Sequence, residues 1–273
     1  MPNPTPQDVH VNQPLTNMSA AYVQDPNLYV ATKFAPIIPS AKQSDVYFTF
    51  NKGDIIRNVA KVRAPGAESD GTAVKISTGG PFFCTEKAIH QDLPDELLAN
   101  ADKVLDLKRA ASLNVAQWLL TRLEIDWATA FFAQGIWAKD LVGVAAGAVE
   151  GTSFLRWNVD TSDPVKDIQY ARRYVHRLTG KMPNKMVISG DVYDALKIHT
   201  LIIDRIKYGA LGGAPQARGY VNAQILAGLF DLDEVLIADA VVNSAAEGAP
   251  DAVDCIMSNG CLLGFVNPAP SIM

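Results

Sequence analysis

One short stretch holds side chains of the types that acid–base catalysis uses. Residues 186–209 read MVISGDVYDALKIHTLIIDRIKYG: an apolar run, Met186-Val187-Ile188, stops at Ser189-Gly190, and Asp191, Asp194 and His199 follow. A strand that ends in a glycine turn and opens a helix is where α/β enzymes keep reactive groups. Two carboxylates and an imidazole can move protons. With the Gly-rich segment 209–219, GALGGAPQARG, they would line the pocket of an α/β hydrolase or a nucleotide-binding domain. The other parts of such a site are missing. The chain has no Gly-x-Ser-x-Gly elbow, no Gly-x4-Gly-Lys-Ser/Thr loop and no His-Glu-x-x-His. The 209–219 segment follows a helical pattern rather than a strand and lacks the phosphate-binding lysine, so it reads as a loop. Asp191 suits a helix start, where its carboxylate faces unpaired N–H groups.

Other chemistry-bearing residues are equally isolated. FDLDEV (230–235) puts Asp231, Asp233 and Glu234 within four positions, between a helix end and a strand, where solvated charges are ordinary. His176 sits among Arg172, Arg173 and Arg177 and reads as part of a charged helix face. His10, His90, His176 and His199 stand at no metal-ligand spacing, and Cys84, Cys255 and Cys261 are too sparse for a structural zinc site. No catalytic, cofactor-binding or metal-binding residue is expected, and no cofactor. The chain is read as not an enzyme.

Composition narrows the class. The chain has 273 residues, 48% of them hydrophobic, enough for one large domain or two moderate ones with a sizeable core. Net charge is −5, and no block of five or more Lys/Arg occurs, which argues against a free-standing nucleic-acid binder. Three scattered cysteines fit a reducing compartment. Asn259-Gly260, in DCIMSNGCLLGF, is a two-residue hairpin signal that would pair Ser258 with Cys261 and Cys255 with Gly264. That register places Cys255 and Cys261 apart and speaks against a disulfide. The N-terminal MPNPTPQDVHVNQPLTN has neither the basic start nor the apolar core of a signal peptide, and no run of 18 apolar residues offers a membrane span.

The elements that would position these residues fall into four blocks. Residues 1–44 carry Pro at 2, 4, 6, 14, 26, 36 and 39 and read as an extended arm with one short helix near 18–23. Its apolar anchors, Leu28, Tyr29, Phe34, Ile37 and Ile38, need a surface to lie on. Residues 45–91 read as a long β-hairpin with strands at 46–50, 59–64 and 72–78 and turn chemistry in PGAESDG (65–71). Residues 95–134 lack Gly and Pro and are expected to form mostly one helix of roughly 60 Å, opened near Asp92 and Pro94 and stopped at Gly135. Its second half is apolar nearly all round. Residues 160–266 alternate helix and strand.

This order resembles the tailed-phage major capsid proteins of the Hong Kong 97-like fold. Local strings resemble the family too: VRAPGAES (62–69) looks like the tip of its extended loop, GDVYDALKIH followed by DRIKYG like the start of its axial domain, and LAGLFDLDEVLIADAVVNSA and LGFVNPAPSIM like its later strand and hairpin. The resemblance covers nearly the whole chain and rests on the ordered set rather than on one fingerprint. It implies an α+β fold with an N-terminal arm (1–44), an extended β-hairpin loop (45–91), a peripheral domain (92–159) with spine helix 95–134, an α/β axial domain (160–266), and a return toward the peripheral domain at 267–273. Family members continue past a string like PAPSIM with strands that complete the peripheral sheet, so the native product is expected to extend beyond Met273.

By resemblance, the function is to tile an icosahedral shell of hexamers and pentamers around packaged double-stranded DNA, which the inner face meets without sequence-specific binding. Scaffolding, portal and decoration proteins are candidate partners, and no membrane is involved. The expected location is the virion capsid, assembled in the host cytoplasm. Inter-subunit contacts are expected from Arg57, Lys61, Arg63, Glu68 and Asp70, and from Phe48, Phe50 and Ile76. The type member cross-links its subunits through a Lys–Asn isopeptide bond. Lys61 and Lys75 stand in the hairpin, and both read as solvated or salt-bridged lysines. The alternatives are an encapsulin-like nanocompartment shell and, from a different class, the α/β enzyme with the pocket described above.

Overall fold

The computed structural model describes residues 24–100, 107–208 and 221–267. Its centre is a three-stranded mixed sheet. Strand β5 (Lys185–Ser189) lies in the middle, parallel to β6 (Glu234–Ala238) on one side and antiparallel to β9 (Cys261–Gly264) on the other. Met186, Val187 and Ile188 are all fully buried. An apolar run without alternation fits a strand covered on both faces.

Alternate side chains enter two different cores. Met186, Ile188 and Val235 face helices α5 (Pro164–Thr179), α6 (Gly190–Ile198), α7 (Thr200–Tyr208) and α8 (Ala223–Leu229), which contribute Val165, Ile168, Leu196, Ile202 and Leu226. The caps follow the sequence closely. Asp163 Oδ1 accepts from the Lys166 N–H at 3.1 Å, Pro164 takes the first helical position, and Gly180 ends α5 in the left-handed conformation at φ 75°. Asn222 caps α8 through the Ile225 N–H at 2.8 Å. The run EVLIADAVVN (234–243) holds two strands: β6 stops at Ala238, and β7 (Val241–Asn243) pairs with β8 (Val253–Cys255) in a separate ribbon.

Val187, Leu236 and Ala238 form the opposite face of the sheet. They are covered by Val30, Ala31 and Phe34 of the N-terminal segment, by Trp127 and by Met257. The N-terminal segment holds a 3-10 turn, Pro26–Leu28, and a one-turn helix α1 (Ala31–Phe34). So the arm, expected to find its cover elsewhere, is packed within its own subunit over this part. Tyr29 and Phe34 are buried while Ile37 and Ile38 stay exposed. The short helix expected near 18–23 lies outside the described residues.

The long helix is seen as α3 (Asp95–Asn100) and α4 (Leu107–Trp127), the latter running on as one π-helical turn, Ala128–Phe132. Residues 101–106 lie outside the described ones. Trp127 is buried against the sheet, with Phe34 edge-on at 5.5 Å and Phe131 and Phe132 at 6.1 and 6.4 Å. Trp118, Leu119 and Leu123 remain exposed. A short parallel pair, β3 (Val142–Val144) with β4 (Ser153–Leu155), follows the helix.

The Asn259-Gly260 hairpin does not form. β8 and β9 belong to different sheets, and the segment between them crosses from one to the other. Asn259 does adopt positive φ (49°), as its type permits. Gly260 serves a different need: its N–H donates to Ser189 Oγ at 3.3 Å, and a Cβ there would lie 2.4 Å from Phe132 Cε1. The glycine admits a ring, and does not make a turn. Gly260→Ala should therefore push Phe132 off its site beside Trp127 and cost about 1–3 kcal/mol; urea denaturation of the variant checks this. The expected absence of a Cys255–Cys261 disulfide agrees with the structure, in which all three cysteines are free.

Candidate interaction surface

β1 (Ser44–Phe50) and β2 (Ile76–Phe83) form an antiparallel ribbon that pairs with no third strand among the described residues. Phe50 lies opposite Ile76, and Phe48 opposite Thr78. Side chains two apart share a face, so Phe48, Phe50 and Ile76 form one apolar patch. They are 56, 45 and 62% exposed. Two of the expected strands are corrected here. Residues 59–64 make no ladder, because alternation without a facing strand has no hydrogen-bond partner to hold it. The second strand starts at Ile76 rather than Thr72 and runs past Thr78 through Gly79-Gly80-Pro81 to Phe83. It can continue because the register shifts between Val46 and Phe48 and the Tyr47 ring lies over Gly79, where a Cβ would come within 2.4 Å.

The loop 51–75 projects from this ribbon. Asn51 caps a short helix, α2 (Lys52–Ile56), by accepting from the Gly53 N–H at 3.0 Å. Lys52 Nζ donates to the Leu178 carbonyl at 2.6 Å, which tethers the base of the loop to the end of α5. Beyond it the charged candidates divide. Lys61 bridges to Asp70 at 2.8 Å across the loop, and Arg57 to Asp54 at 3.2 Å. Arg63 and Glu68 have no ion pair among the described residues. The turn expected in 65–71 is centred on Pro65-Gly66, where the Ala67 N–H donates to the Ala64 carbonyl at 3.1 Å and Gly66 has φ 81°.

The residues considered for catalysis are not brought together. Asp191 lies exposed in the first turn of α6, and Asp194 pairs with Lys197 at 3.1 Å. His199 is buried at the far end of that helix, about 12 Å along it at 1.5 Å per residue. Its Nε2 lies 3.0 Å from Ser162 Oγ, and its carbonyl accepts the N–H groups of Ile202 and Ile203 that open α7. The loop 209–219 lies outside the described residues. Gly190 is explained by packing, since a Cβ there would meet Asp239 Oδ1 at 2.6 Å. Burial and then the carboxylate of Asp239, with Asp191 and Asp254, push the Cys255 thiol up, away from the reactive thiolate. Asp231 pairs with Arg172 and Glu234 with Lys185, both at 2.8 Å, so two carboxylates of FDLDEV serve as ion-pair partners. Among the described residues no cluster of three metal-ligating side chains occurs, and no helix is long and apolar enough to cross a membrane.

One buried charged residue escaped the sequence reading. Glu124 is 1% exposed in the apolar half of α4. Its carboxylate accepts from the Val30 N–H at 3.0 and 3.1 Å and from the Ala31 N–H at 2.9 Å. Gln117 accepts from the Gln24 N–H at 3.3 Å, and Tyr29 Oη meets Thr121 Oγ1 at 3.0 Å. Positions 117, 121 and 124 share one helix face. A polar stripe in an otherwise apolar helix was the available signal.

Comparison with known proteins adds three findings. No family model matches the chain. Over 80 residues it is 30% identical to the major capsid protein of Burkholderia phage BcepMu, a match covering 29% of this chain and 24% of that protein. The chain thus spans about a quarter of the length of the curated relative it matches. Its fold is similar to the crystal structure of a phage-related protein from Bordetella bronchiseptica RB50, with TM-score 0.63 and 22% identity, over 95% of this chain and 79% of that one. The mixed α+β fold is therefore shared with a phage-related protein.

Proposed function

We propose that this chain is a major capsid subunit of a tailed phage, with the Hong Kong 97-like arrangement, that assembles into hexamers and pentamers of an icosahedral shell around double-stranded DNA. The observation that carries the reading is the β1–β2 ribbon, whose patch of Phe48, Phe50 and Ile76 is left exposed by the described residues. A two-stranded ribbon is at best marginally stable alone in water. A contiguous apolar face of this kind marks a contact surface. The local identity to a phage capsid protein and the likeness to a phage-related fold support the same reading.

In this reading 1–44 is the N-terminal arm, 92–159 the peripheral domain with α4 in its spine, 160–266 the axial domain, and 45–91 the extended loop laid on an adjacent subunit. The role is structural and not enzymatic. Packaged DNA meets the inner face without sequence readout, and scaffolding, portal and decoration proteins are the further partners. The virion is its location, after assembly in the host cytoplasm. Lys61, held by Asp70, acts here as an ion-pair lysine. Arg63 and Glu68, unpaired in the described subunit, meet charges on the neighbour. Exposed ion pairs contribute only ~0–1 kcal/mol and mainly set register and association rate. Reversing either, Arg63→Glu or Glu68→Lys, should slow assembly modestly at low salt and lose its effect at high salt, where charges are screened. Light scattering during assembly at two ionic strengths reads this out; an effect unchanged by salt would count against the assignment.

A further inference from the structure

We propose that residues 24–35 are a strap that closes over the underside of the central sheet, and that its closure is governed by pH through Glu124. The strap runs along α4 in the direction of the helix, touching Gln117 at Gln24, Thr121 at Tyr29 and Glu124 at Val30 and Ala31. It ends where Phe34 meets Trp127. The chain that follows, 36–43, is exposed throughout and punctuated by Pro36 and Pro39. Four apolar anchors hold the strap, Tyr29, Val30, Ala31 and Phe34, and they must offset the ordering of its whole backbone. Such segments open locally more readily than the core.

Closing the strap takes the Glu124 carboxylate out of water. Burial raises its proton affinity, more than the Val30 and Ala31 N–H groups and the Lys33 charge lower it. Among the described residues no cation pairs with the carboxylate. The Lys33 ammonium donates to the Asn27 carbonyl, and that of Lys185 lies between the Lys33 carbonyl and Glu234. Tyr29 faces Thr121, while Arg122 and Lys87 sit with Asp126 on the far side of α4. The closed strap therefore binds a proton more tightly than the open one. Closure is strongest below the ordinary carboxylate range and weakens as pH rises through the Glu124 titration of the closed state, by at most tenfold per pH unit for one proton.

Hydrogen exchange of the full chain tests this, with rates divided by the intrinsic rate at each pH. Protection of peptides covering 29–35 should fall with rising pH, up to tenfold per unit within that window, while protection of Lys185–Ser189 stays constant. Glu124→Gln keeps an acceptor oxygen and removes the proton, and should flatten the profile. A flat wild-type profile, an equal fall at 185–189, or a slope that survives in Glu124→Gln would each overturn the proposal.

Discussion

Deleting residues 60–74 is expected to leave a soluble, folded subunit that no longer forms closed shells. The deletion joins Val59 to Lys75 and leaves the β1–β2 register, Asn51 and the Lys52 tether intact. It removes Lys61 and Asp70 together, so no charge is orphaned. Every residue removed is exposed in the subunit, so the melting temperature should hardly move. What disappears is contact surface. Val62 is fully exposed and Val74 nearly half so. Burying such side chains completely contributes about 1.5–3 kcal/mol each. With Val74 already half covered, losing the two weakens each contact by about 2–4 kcal/mol, roughly one and a half to three orders of magnitude in affinity. Circular dichroism and gel filtration would report the folded, unassembled subunit. Normal particles from the deletion protein would remove the hairpin from the assembly interface.

Glu124→Leu should be the most damaging single substitution away from the hairpin. It leaves the Val30 and Ala31 N–H groups buried without acceptors. Each unsatisfied buried donor costs ~1–3 kcal/mol, so about 2–6 kcal/mol is expected. Glu124→Gln retains one acceptor oxygen and should lose about 1 kcal/mol. The sign of the pH dependence follows from burial, which raises this carboxyl. The native state then holds the proton where the unfolded chain has released it. The contribution is full below the unfolded carboxyl's titration and declines as pH rises through the native one. Urea midpoints of wild type and Glu124→Gln across that range would show the decline in the first alone.

Much of this molecule was legible because local signals and the fold agree. The apolar run 186–188 is the central strand, and Asp163, Pro164 and Gly180 bracket α5 with the caps their types favour. Asp191 and His199 stand at opposite ends of α6, about 12 Å apart along it. Misreadings arose where a local signal answered to a distant partner. Asn259-Gly260 looks like a turn, but the glycine makes room for Phe132, far away in sequence. The strand expected to end at Thr78 runs on through Gly79-Gly80-Pro81, bulged around Tyr47. Residues 59–64 alternate like a strand and have nothing to pair with. The polar stripe of Gln117, Thr121 and Glu124 was there to be read, but the partners of Glu124, backbone amides of the arm, were not. The exposed face of Phe48, Phe50 and Ile76, in contrast, needed only the alternation of 46–50 and the recognition that one hairpin cannot bury it.

Negative-stain microscopy of the purified protein tests the central claim most directly. The capsid reading predicts closed, uniform polyhedral particles, or the hexamers and pentamers from which they are built. A monodisperse monomer that remains monomeric on concentration, with Phe48, Phe50 and Ile76 permanently in water, would contradict it.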